Sequence, residues 1–459
     1  MKKYLARLVL EAETPLHVGS GNSDLTLDAP INCDANGLPQ INGSSLAGIL
    51  RNTFSSDEKA ADRIFGFQNK DKGEGSRLVI SNAHLVYGKG KVVEGLMMPE
   101  DIEKDTFLSA MMPYALPLRD HCRIGDKGSA ADKGKFDNCV LPKGLRFMCE
   151  LELTEDKDDI SQSWKQLLDL FASPMFRIGG KVRSGLGKLK VNKYWSKEFD
   201  FNNEEDKKAY CAHSSSFNRN VEWKDWNQTA ETSDKYVCYT LNIQPENFFT
   251  FGSGYGDEEV DMTPKKELIV KWNDKGEPTI SEAKILVPAS SIKGAVSHRV
   301  AYHYNKLVGN FAEKFNGLKD DEKPAGTNSK AVQILFGYDK KGKGKAENEV
   351  AAGKVFFDDM LIEEKPEEKI FNHVSIDRFT GGAMNGALFD EKVCGNKISV
   401  APIEIYVEES SLKDENVEKA FEKTLDDICS GMLPLGGGTM RGHGCFAGSW
   451  TKEGGKNGR

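Results

Sequence analysis

The chain carries the same short motifs twice, in the same order. Gly-Ser-Ser-Leu-Ala-Gly at 43–48 recurs as Ala-Ser-Ser-Ile-Lys-Gly at 289–294, and Ile-Phe-Gly-Phe at 64–67 recurs as Leu-Phe-Gly-Tyr at 335–338. Two later blocks repeat as well: 121–137 as 373–390, and the glycine-rich 178–187 as 435–444. Because four blocks recur at nearly constant separation, the repeat predicts two homologous domains.

The repeat also sets the expected domain boundaries. We predict a first domain at 1–198, a polar linker rich in Asn, Ser and Lys at 199–235, and a second domain at 236–459. Each unit reads as strand, helix, strand, a long insertion, strand, helix, glycine-rich turn and strand. This βαββαβ order predicts an α+β fold of two tandem ferredoxin-like, RRM-like domains with long thumb-like insertions.

The composition is that of a soluble globular protein. Of the 459 residues, 29% are charged and 39% are hydrophobic, and no run of 18 apolar residues occurs. The N-terminus lacks the apolar core of a secretory signal, so we expect a cytoplasmic protein without a membrane partner. Nine scattered cysteines, an odd number, favour reduced thiols over a disulfide framework.

The charge is unevenly distributed along the chain. A net charge of −8 disfavours a generally basic nucleic-acid-binding protein. Acidic residues, however, concentrate in short runs, while lysines and arginines cluster at 127–146 and 181–190. This segregation permits a local basic groove on an acidic protein.

A polar loop and a helix start follow the first predicted strand. Gly43 and Gly48 leave the helix start unshielded, and Ser44 or Ser45 is the expected N-cap. Free N–H groups at a helix start attract phosphate. The loop carries Asp24, Asp28 and Asp34. Carboxylates beside such a helix start suit a nuclease, and they also suit an ordinary solvated loop.

The motifs resemble those of the RAMP superfamily of CRISPR-associated proteins. The similar segments are Thr-Pro-Leu-His-Val-Gly-Ser-Gly at 14–21, Pro-Gln-Ile-Asn-Gly-Ser-Ser-Leu-Ala-Gly at 39–48 and the glycine-rich turn at 179–187. Within that superfamily, residues 27–34 resemble the active loop of the backbone subunit of type III effector complexes, and 373–381 resemble its thumb. Two such units in one chain resemble the tandem fusion of a type III-D variant.

The resemblance implies a function and two catalytic residues. Such subunits bind the CRISPR guide RNA, and a loop aspartate cleaves the complementary target RNA with Mg²⁺ or another divalent metal. Asp28 occupies that position here. In the second domain we expect a longer loop and an alignment that slips by one residue, and Asp261 matches Asp28 best because an apolar residue precedes it and a proline follows. On that alignment Asp274 matches Asp34, which we interpret as a turn residue.

Further residues are expected to contact RNA through their backbone N–H groups or their charge. The expected RNA-binding residues are Ser44, Ser45, Arg51, Gly179, Gly180, Lys181, Arg183, Ser290, Ser291, Lys293, Arg378, Gly436, Gly437 and Arg441, with Arg299 as an additional candidate. Any one of these could instead be an ordinary surface residue.

Histidine and cysteine raise two other possibilities. His121, Cys122, Cys139 and Cys149 fall in one insertion and could form a structural zinc site, although no Cys-x-x-Cys pair is present. His17, at the end of the first strand, is either a hydrogen-bonded structural residue or an active histidine. His121 and His373 begin the two thumbs, where we expect structural support.

Three functions are compatible with these patterns. The first is a ribonuclease subunit that works with guide RNA, target RNA and the other subunits of an effector complex. The second is an architectural subunit that binds guide RNA without cutting. The third is a stand-alone guide-processing endoribonuclease that uses His17, which the long thumb-like insertions disfavour.

Overall fold

A computed structural model describes most of the chain. The described residues are 1–22, 28–54, 58–125, 129–156, 159–219, 221, 223–225, 235–319, 323–340, 349–395, 398 and 400–454. Asp24 and Lys127 lie outside them. Within these ranges, none of the helices is both long and apolar enough to cross a membrane.

The first unit contains short helices around one antiparallel sheet. Its strands are β1 (Lys2–Ala12), β2 (Gln40–Ile41), β3 (Phe67–Asn69), β4 (Lys72–Glu74), β5 (Leu78–Ile80), β6 (Ala83–Tyr87), β7 (Lys91–Val92), β8 (Leu118–Ile124), β9 (Ala130–Cys139), β10 (Arg146–Glu155), β11 (Leu189–Asp200) and β12 (Lys224–Asp225). Its helices are α1 (Gly43–Phe54), α2 (Glu58–Phe65), α3 (Pro99–Lys104), α4 (Thr106–Ala110), α5 (Ser161–Asp169) and α6 (Glu204–Cys211).

Strand β1 lies at the centre of the first sheet. It pairs antiparallel with β10 on one side and β11 on the other, and β10 continues to β5 and β6. Side chains alternate along a strand, so Tyr4 and Leu8 face the same side of β1. They pack in one core with Leu46 of α1 and Trp164 of α5, and the rings of Tyr4 and Trp164 are 5.9 Å apart. The two helices therefore cover one face of the sheet.

The opposite face of β1 buries an arginine. Arg7 is fully buried, and its Nε donates to Glu150 Oε2 at 2.6 Å. Its two terminal nitrogens donate to the carbonyls of Ser216 at 3.0 Å and Ser214 at 2.5 Å, and the guanidinium lies over the Phe217 ring. A buried charge requires such partners. Residues 212–219 therefore pack against this face of the sheet.

This packing corrects one expectation from the sequence. The segment at 199–235 looked like a polar linker with little local structure. Strand β11 instead extends to Asp200, helix α6 follows it, and the chain through residue 219 lies against the first sheet. Polar composition misled because the acceptors that satisfy Arg7 are backbone carbonyls, which a sequence does not reveal.

The second unit repeats the arrangement with a longer helix. Its strands are β13 (Tyr236–Pro245), β14 (Lys266–Glu267), β15 (Val270–Trp272), β16 (Pro278–Ile280), β17 (Lys284–Val287), β18 (Gly337–Lys340), β19 (Glu349–Ala352), β20 (Val355–Phe357), β21 (Met360–Ile362), β22 (Glu368–Ile376), β23 (Ala383–Cys394), β24 (Ile403–Glu408) and β25 (Phe446–Glu453). Its helices are α7 (Ala289–Leu307), α8 (Lys330–Phe336) and α9 (Glu415–Cys429).

The two central sheets share one strand order. In the first unit it is β11-β1-β10 followed by β5 and β6, and in the second it is β25-β13-β24-β20. In both, the first strand of the unit lies between two strands from its second half, β10 and β11 in the first unit and β24 and β25 in the second. Helices α7 and α9 pack in one core with β13, as α1 and α5 do with β1. The mixed architecture confirms the predicted α+β class.

A buried ion cluster joins the two units. Arg119 of β8 is only 4% exposed and donates to both oxygens of Glu267, at 2.5 and 2.7 Å, and to Asp359 at 2.5 Å. Both carboxylates belong to the second unit. Burial raises the pKa of Asp359, and the neighbouring guanidinium opposes that effect. The cluster therefore depends on all three partners.

The glycine-rich turn of the first unit also contacts the second unit. Arg177 donates to Asp358 at 2.5 Å, and Arg183 donates to the Gly353 carbonyl at 2.5 Å. Both guanidiniums lie over the ring of Phe356, at 5.6 and 5.1 Å. This end of the first unit is therefore an internal interface.

We predict that Arg119→Met destabilises the chain by about 3–5 kcal/mol, because it leaves two buried carboxylates without their cation. Urea unfolding measures the change. The control is Lys2→Met, which breaks the exposed Lys2–Glu198 pair and should leave the unfolding midpoint almost unchanged. Equal effects of the two substitutions would contradict a joining role for the cluster.

Candidate active site

Each glycine-rich turn lies against the segment that directly follows the first strand of its unit. The N–H of Gly180 donates to the His17 carbonyl, and the N–H of Gly437 donates to the Thr250 carbonyl, both at 2.8 Å. The preceding Gly179 has a φ of +84°, and a Cβ there would lie 2.2 Å from the His17 carbonyl oxygen. Only glycine fits this approach. We name residues 179–187 the first turn and 436–444 the second turn.

The segments that follow the first strand of each unit close with the same bonding. Ser20 N–H donates to the Pro30 carbonyl, and Ser253 N–H donates to the Thr263 carbonyl at the equivalent position. Bridges between Gly19 and Ile31 and between Gly252 and Pro264 repeat in the same way. Residues 19–31 and 252–264 therefore have equal lengths, so the one-residue slip expected at Asp261 was wrong. The second loop is longer, as expected, but its extra residues lie after Pro264.

Both loop aspartates lie at the edge of a β-hairpin. The first hairpin is β8–β9, and the second is β22–β23. Asp28 accepts the backbone N–H of Asp137 of β9 at 3.1 Å, and Asp261 accepts the backbone N–H of Asp390 of β23 at 3.0 Å. Both loop aspartates are solvent-exposed. The structure thus places Asp28 and Asp261 at equivalent positions.

The first of these positions contains two carboxylates. Besides accepting the N–H of Asp137, Asp28 donates its own N–H to the Asp137 side chain at 3.2 Å. Mg²⁺ prefers one or two carboxylates together with water and phosphate. This sparse, exposed pair fits that ion. Among the described residues, no group of three or more His, Cys, Asp or Glu side chains converges on a common point.

A histidine stacks on an aromatic ring in each hairpin. His121 and Phe136 are cross-strand partners with ring centroids 5.0 Å apart, and His373 and Phe389 are 4.9 Å apart. Burial lowers the pKa of His121 to about 4, and the nearby Lys181 and Arg119 add to the effect. His121 is therefore neutral at pH 7, which suits the structural role expected for it.

A cation from each turn reaches over the stacked ring. Lys181 Nζ donates to the Asn138 side-chain oxygen at 2.6 Å and lies 4.0 Å from the Phe136 centroid. Arg441 donates to both oxygens of Glu391, at 2.9 and 2.7 Å. Burial lowers the pKa of Lys181 to about 8. The structure therefore brings Lys181 and Arg441 to the hairpins to which the loop aspartates are hydrogen-bonded.

Sequence reasoning missed Asn138 and Glu391, and it misaligned the turn. Gly180 and Gly437 bond equivalently, as do Gly187 and Gly444, so the two turns have equal lengths. Arg441 therefore aligns with Ser184, and Met440 aligns with Arg183. The Arg–Gly pattern suggested the other pairing. Asn138 and Glu391 directly follow the aligned Asp137 and Asp390, which was the only signal available for them.

Each repeated helix begins one residue before its two serines. Helix α1 begins at Gly43, whose N–H donates to the Asn82 side chain at 3.0 Å. Helix α7 begins at Ala289, whose N–H donates to Asp359 at 2.8 Å. The residue before α1 is Asn42, so the expected N-cap at Ser44 or Ser45 was wrong. The four serines 44, 45, 290 and 291 all lie in the first turns of these helices.

Several cations that were expected to contact RNA are instead engaged within the protein. They are Arg51 with Asp62 and the Gly66 carbonyl, Arg183 with the Gly353 carbonyl, Lys293 with Ser184, and Arg299 with Asp427. Arg378 differs, because it is exposed at the tip of the second hairpin. Its neighbour Phe379 is 99% exposed.

The four residues of the proposed zinc site do not come together. His121 and Cys122 are successive residues of β8, so their side chains point to opposite faces of the hairpin. Cys122 is exposed, while Cys149 lies in β10 with its side chain in the core of the first unit. Strand alternation separates what proximity in sequence suggested.

His17 and Asp34 both have structural partners. His17 is buried, and its Nδ1–H donates to the Cys139 carbonyl at 2.8 Å. Asp34 accepts the N–H groups of Asn36 and Leu38 at 2.8 and 2.9 Å, as expected of a turn residue. In the second unit, Asn273 makes the same bonds to the N–H groups of residues 275 and 277. Asn273, rather than Asp274, therefore answers Asp34.

The comparison with known families follows this geometry. The family model of the RAMP superfamily matches residues 9–190 and 274–447, one match in each unit. The chain therefore belongs to the RAMP superfamily, as the motifs indicated. This superfamily comprises CRISPR-associated proteins and includes members with ribonuclease activity. No individually curated protein matches the chain.

Two glycines of the second turn provide a matched test of its close approach. We predict that Gly436→Ala costs about 2–4 kcal/mol, because its φ is +94° and a Cβ would lie 2.3 Å from the Thr250 carbonyl oxygen. Gly442→Ala has a similar φ of +86° but open space around it, so it should cost only about 1–2 kcal/mol. Urea unfolding distinguishes the two; equal costs would exclude the steric explanation.

The low pKa of His121 predicts a dependence of stability on pH. The pKa falls from 6.5 to about 4 on folding, so the unfolded chain binds a proton more readily than the folded chain. Stability should therefore fall as the pH drops from about 6.5 towards about 4, by about 1–2 kcal/mol after allowance for solvent screening. His121→Phe should remove this part of the pH dependence in urea unfolding. An unchanged profile would contradict the assignment.

Proposed function

We propose that this chain is an RNA-guided ribonuclease subunit of a type III CRISPR effector complex. It binds guide RNA, and it cleaves complementary target RNA with the carboxylates of Asp28 and Asp261. The observation that carries the proposal is that both loop aspartates are exposed and are fixed on the edge of a hairpin by the same backbone hydrogen bond. A carboxylate that is exposed, anchored and repeated in both units is more typical of a catalytic residue than of an aspartate in an ordinary solvated loop.

The fold that we propose for each unit is a ferredoxin-like sandwich with the hairpin as its thumb. The strand order supports it, since β1 lies between β10 and β11 in the first sheet and β13 lies between β24 and β25 in the second. Helices pack on one face of each sheet. The second hairpin projects its tip into solvent, where Arg378 and Phe379 are exposed. An exposed aromatic side chain at such a tip can stack against an RNA base.

The chain's own residues would orient the RNA for cleavage. Asp28 would accept the proton of a ribose 2′-hydroxyl, because its carboxylate is exposed and its position is fixed by the hydrogen bond to Asp137. A divalent metal, when bound by Asp28 and Asp137, would stabilise charge on the phosphate. The N–H groups of the glycine-rich turns and the cation of Lys181 would position the RNA backbone nearby.

Partner subunits would bind at the two open ends of the chain. In the internal interface, Phe356 is covered by Arg177 and by Arg183 of the first turn. Val79 is the equivalent residue in the first unit, and it is 61% exposed. Met440, the equivalent of Arg183, is fully exposed on the second turn. Each end thus presents an apolar side chain where the internal interface has a contact, which favours assembly into a larger complex.

The test is cleavage of target RNA by the assembled complex. We predict that Asp28→Asn lowers cutting at one set of positions by about 100-fold or more, the scale of a lost acid–base or metal-binding carboxylate, and that Asp261→Asn does so at another set. Sequencing of the RNA ends measures both. Asp71→Asn, a charge change at an exposed position away from the loops, is the control and should cut normally.

Unchanged cutting at every position in both variants would contradict the proposal and favour an architectural subunit. A stand-alone guide-processing enzyme predicts a different result, in which the isolated chain cuts a repeat RNA without metal and His17→Ala abolishes that activity. The buried and hydrogen-bonded ring of His17 gives no support to that function.

A further inference from the structure

The two units differ in the charge that they present beside the hairpin ring. In the first unit, Lys181 Nζ donates to the neutral Asn138 side chain and lies over the Phe136 ring. Among the described residues, no carboxylate forms an ion pair with Lys181. Only part of the hydrogen-bonding capacity of its ammonium group is used. The charge of Lys181 is therefore available to a ligand.

In the second unit, the cation that reaches the hairpin is Arg441, from a different position of the turn, and its charge is neutralised internally. Glu391 stands in place of Asn138 and is only 2% exposed. Its carboxylate accepts from Arg441 at 2.9 and 2.7 Å and lies 2.8 Å from His373 Nε2. Both contacts come from one guanidinium nitrogen, Nη2, and charge-assisted hydrogen bonds to a carboxylate are stronger than neutral ones. Arg441 therefore presents much less free charge than Lys181.

Unpartnered polar atoms point to the same difference. Asn138 is fully buried, and within the described part of the chain neither its Nδ2 nor the buried Nε2 of His121 has a hydrogen-bond partner. A buried donor without a partner is costly. In the second unit, Glu391 partners the corresponding His373 nitrogen. Beside Lys181, two buried polar atoms thus have no partner among the described residues, whereas in the second unit Glu391 binds the corresponding His373 nitrogen and His443 Nδ1 is the atom without a partner.

We propose that Lys181, held in place by Asn138, binds a backbone phosphate of RNA in the first unit, and that Glu391 has abolished the corresponding site in the second. This inference rests on the proposed function, in which RNA passes the hairpins. Lys181 supplies the charge, and the buried side chain of Asn138 accepts a hydrogen bond from its ammonium group without neutralising it. The first unit consequently holds RNA more tightly than the second, and it cuts more efficiently.

The neighbouring loop adds to the asymmetry. Lys392 follows Glu391 and is bound by Asp257 and Glu259, each at 3.0 Å. These contacts neutralise a second cation beside the second hairpin. The equivalent residue of the first unit is the uncharged Cys139. Lys392 therefore does not replace the charge that Glu391 removes.

The experiment exchanges the two residues in the full chain. Binding of a single-stranded RNA oligonucleotide of mixed sequence is followed by fluorescence anisotropy at several salt concentrations. For single strands, each phosphate contact contributes about 0.7 to the slope of log affinity against log salt. We expect Asn138→Glu to reduce the slope by about 0.7 and Glu391→Gln to increase it by about 0.7.

Controls separate local contacts from net charge and from misfolding. Gln162→Glu and Glu205→Gln make the same charge changes at exposed positions on α5 and α6, and they should leave the slope nearly unchanged. Because position 138 is buried and a glutamate there strains the fold, Lys181→Met provides a second test and should also reduce the slope by about 0.7. Equal slopes for the wild type and Lys181→Met, or equal shifts for Glu391→Gln and Glu205→Gln, would overturn the proposal.

Cleavage in the assembled complex provides an independent measurement. Glu391→Gln should increase cutting at the positions assigned to Asp261 relative to those assigned to Asp28, whereas a decrease or an unchanged ratio would count against the inference. If the wild-type complex cuts nowhere, the proposed ribonuclease function fails, and the salt slopes still decide whether the phosphate site exists.

Discussion

A single backbone contact organises the functional end of each unit. Gly180 and Gly437 donate their N–H groups to the carbonyls of His17 and Thr250, which lie just beyond the first strand of each unit. The glycines before them have positive φ angles, and a Cβ at either would overlap that carbonyl oxygen. Because the turn lies so close to the strand end, its cation reaches the hairpin that also binds the loop aspartate. Loop, turn and hairpin therefore form one site.

The duplicated units have kept this framework and diverged in their contacts. The bridges at the start of the loops and the hydrogen bonds from the loop aspartates to the hairpins are equivalent in both halves. Arg177 and Arg183, before and within the first turn, join the units, whereas the second turn exposes Met440. One framework therefore serves as an internal joint in the first half and as an open end in the second. Duplication allows this because each side chain can change without altering the backbone.

Much of this architecture is readable from the sequence, because it depends on local patterns. The repeated motifs predicted two related units and an α+β fold. The apolar residue before Asp261 and the proline after it identified the counterpart of Asp28, and the structure gives both the same hydrogen bond. These features can be predicted because a conserved spacing and a glycine with positive φ are both visible in the sequence.

The remainder depends on contacts between distant residues. The ion cluster of Arg119 joins residues from both units, and the carbonyls that satisfy Arg7 come from the segment predicted to be a linker. The zinc prediction joined residues that alternate across a strand. Asn138 and Glu391 carry no motif of their own, and their importance follows only from the cations of the turns.

The most direct test is an experimental structure of the chain bound to guide and target RNA. The account predicts that the target strand crosses both hairpins, with one phosphodiester beside the Asp28 carboxylate and another beside the Asp261 carboxylate. An RNA path along a different face, with both aspartates remote from any phosphate, would contradict it.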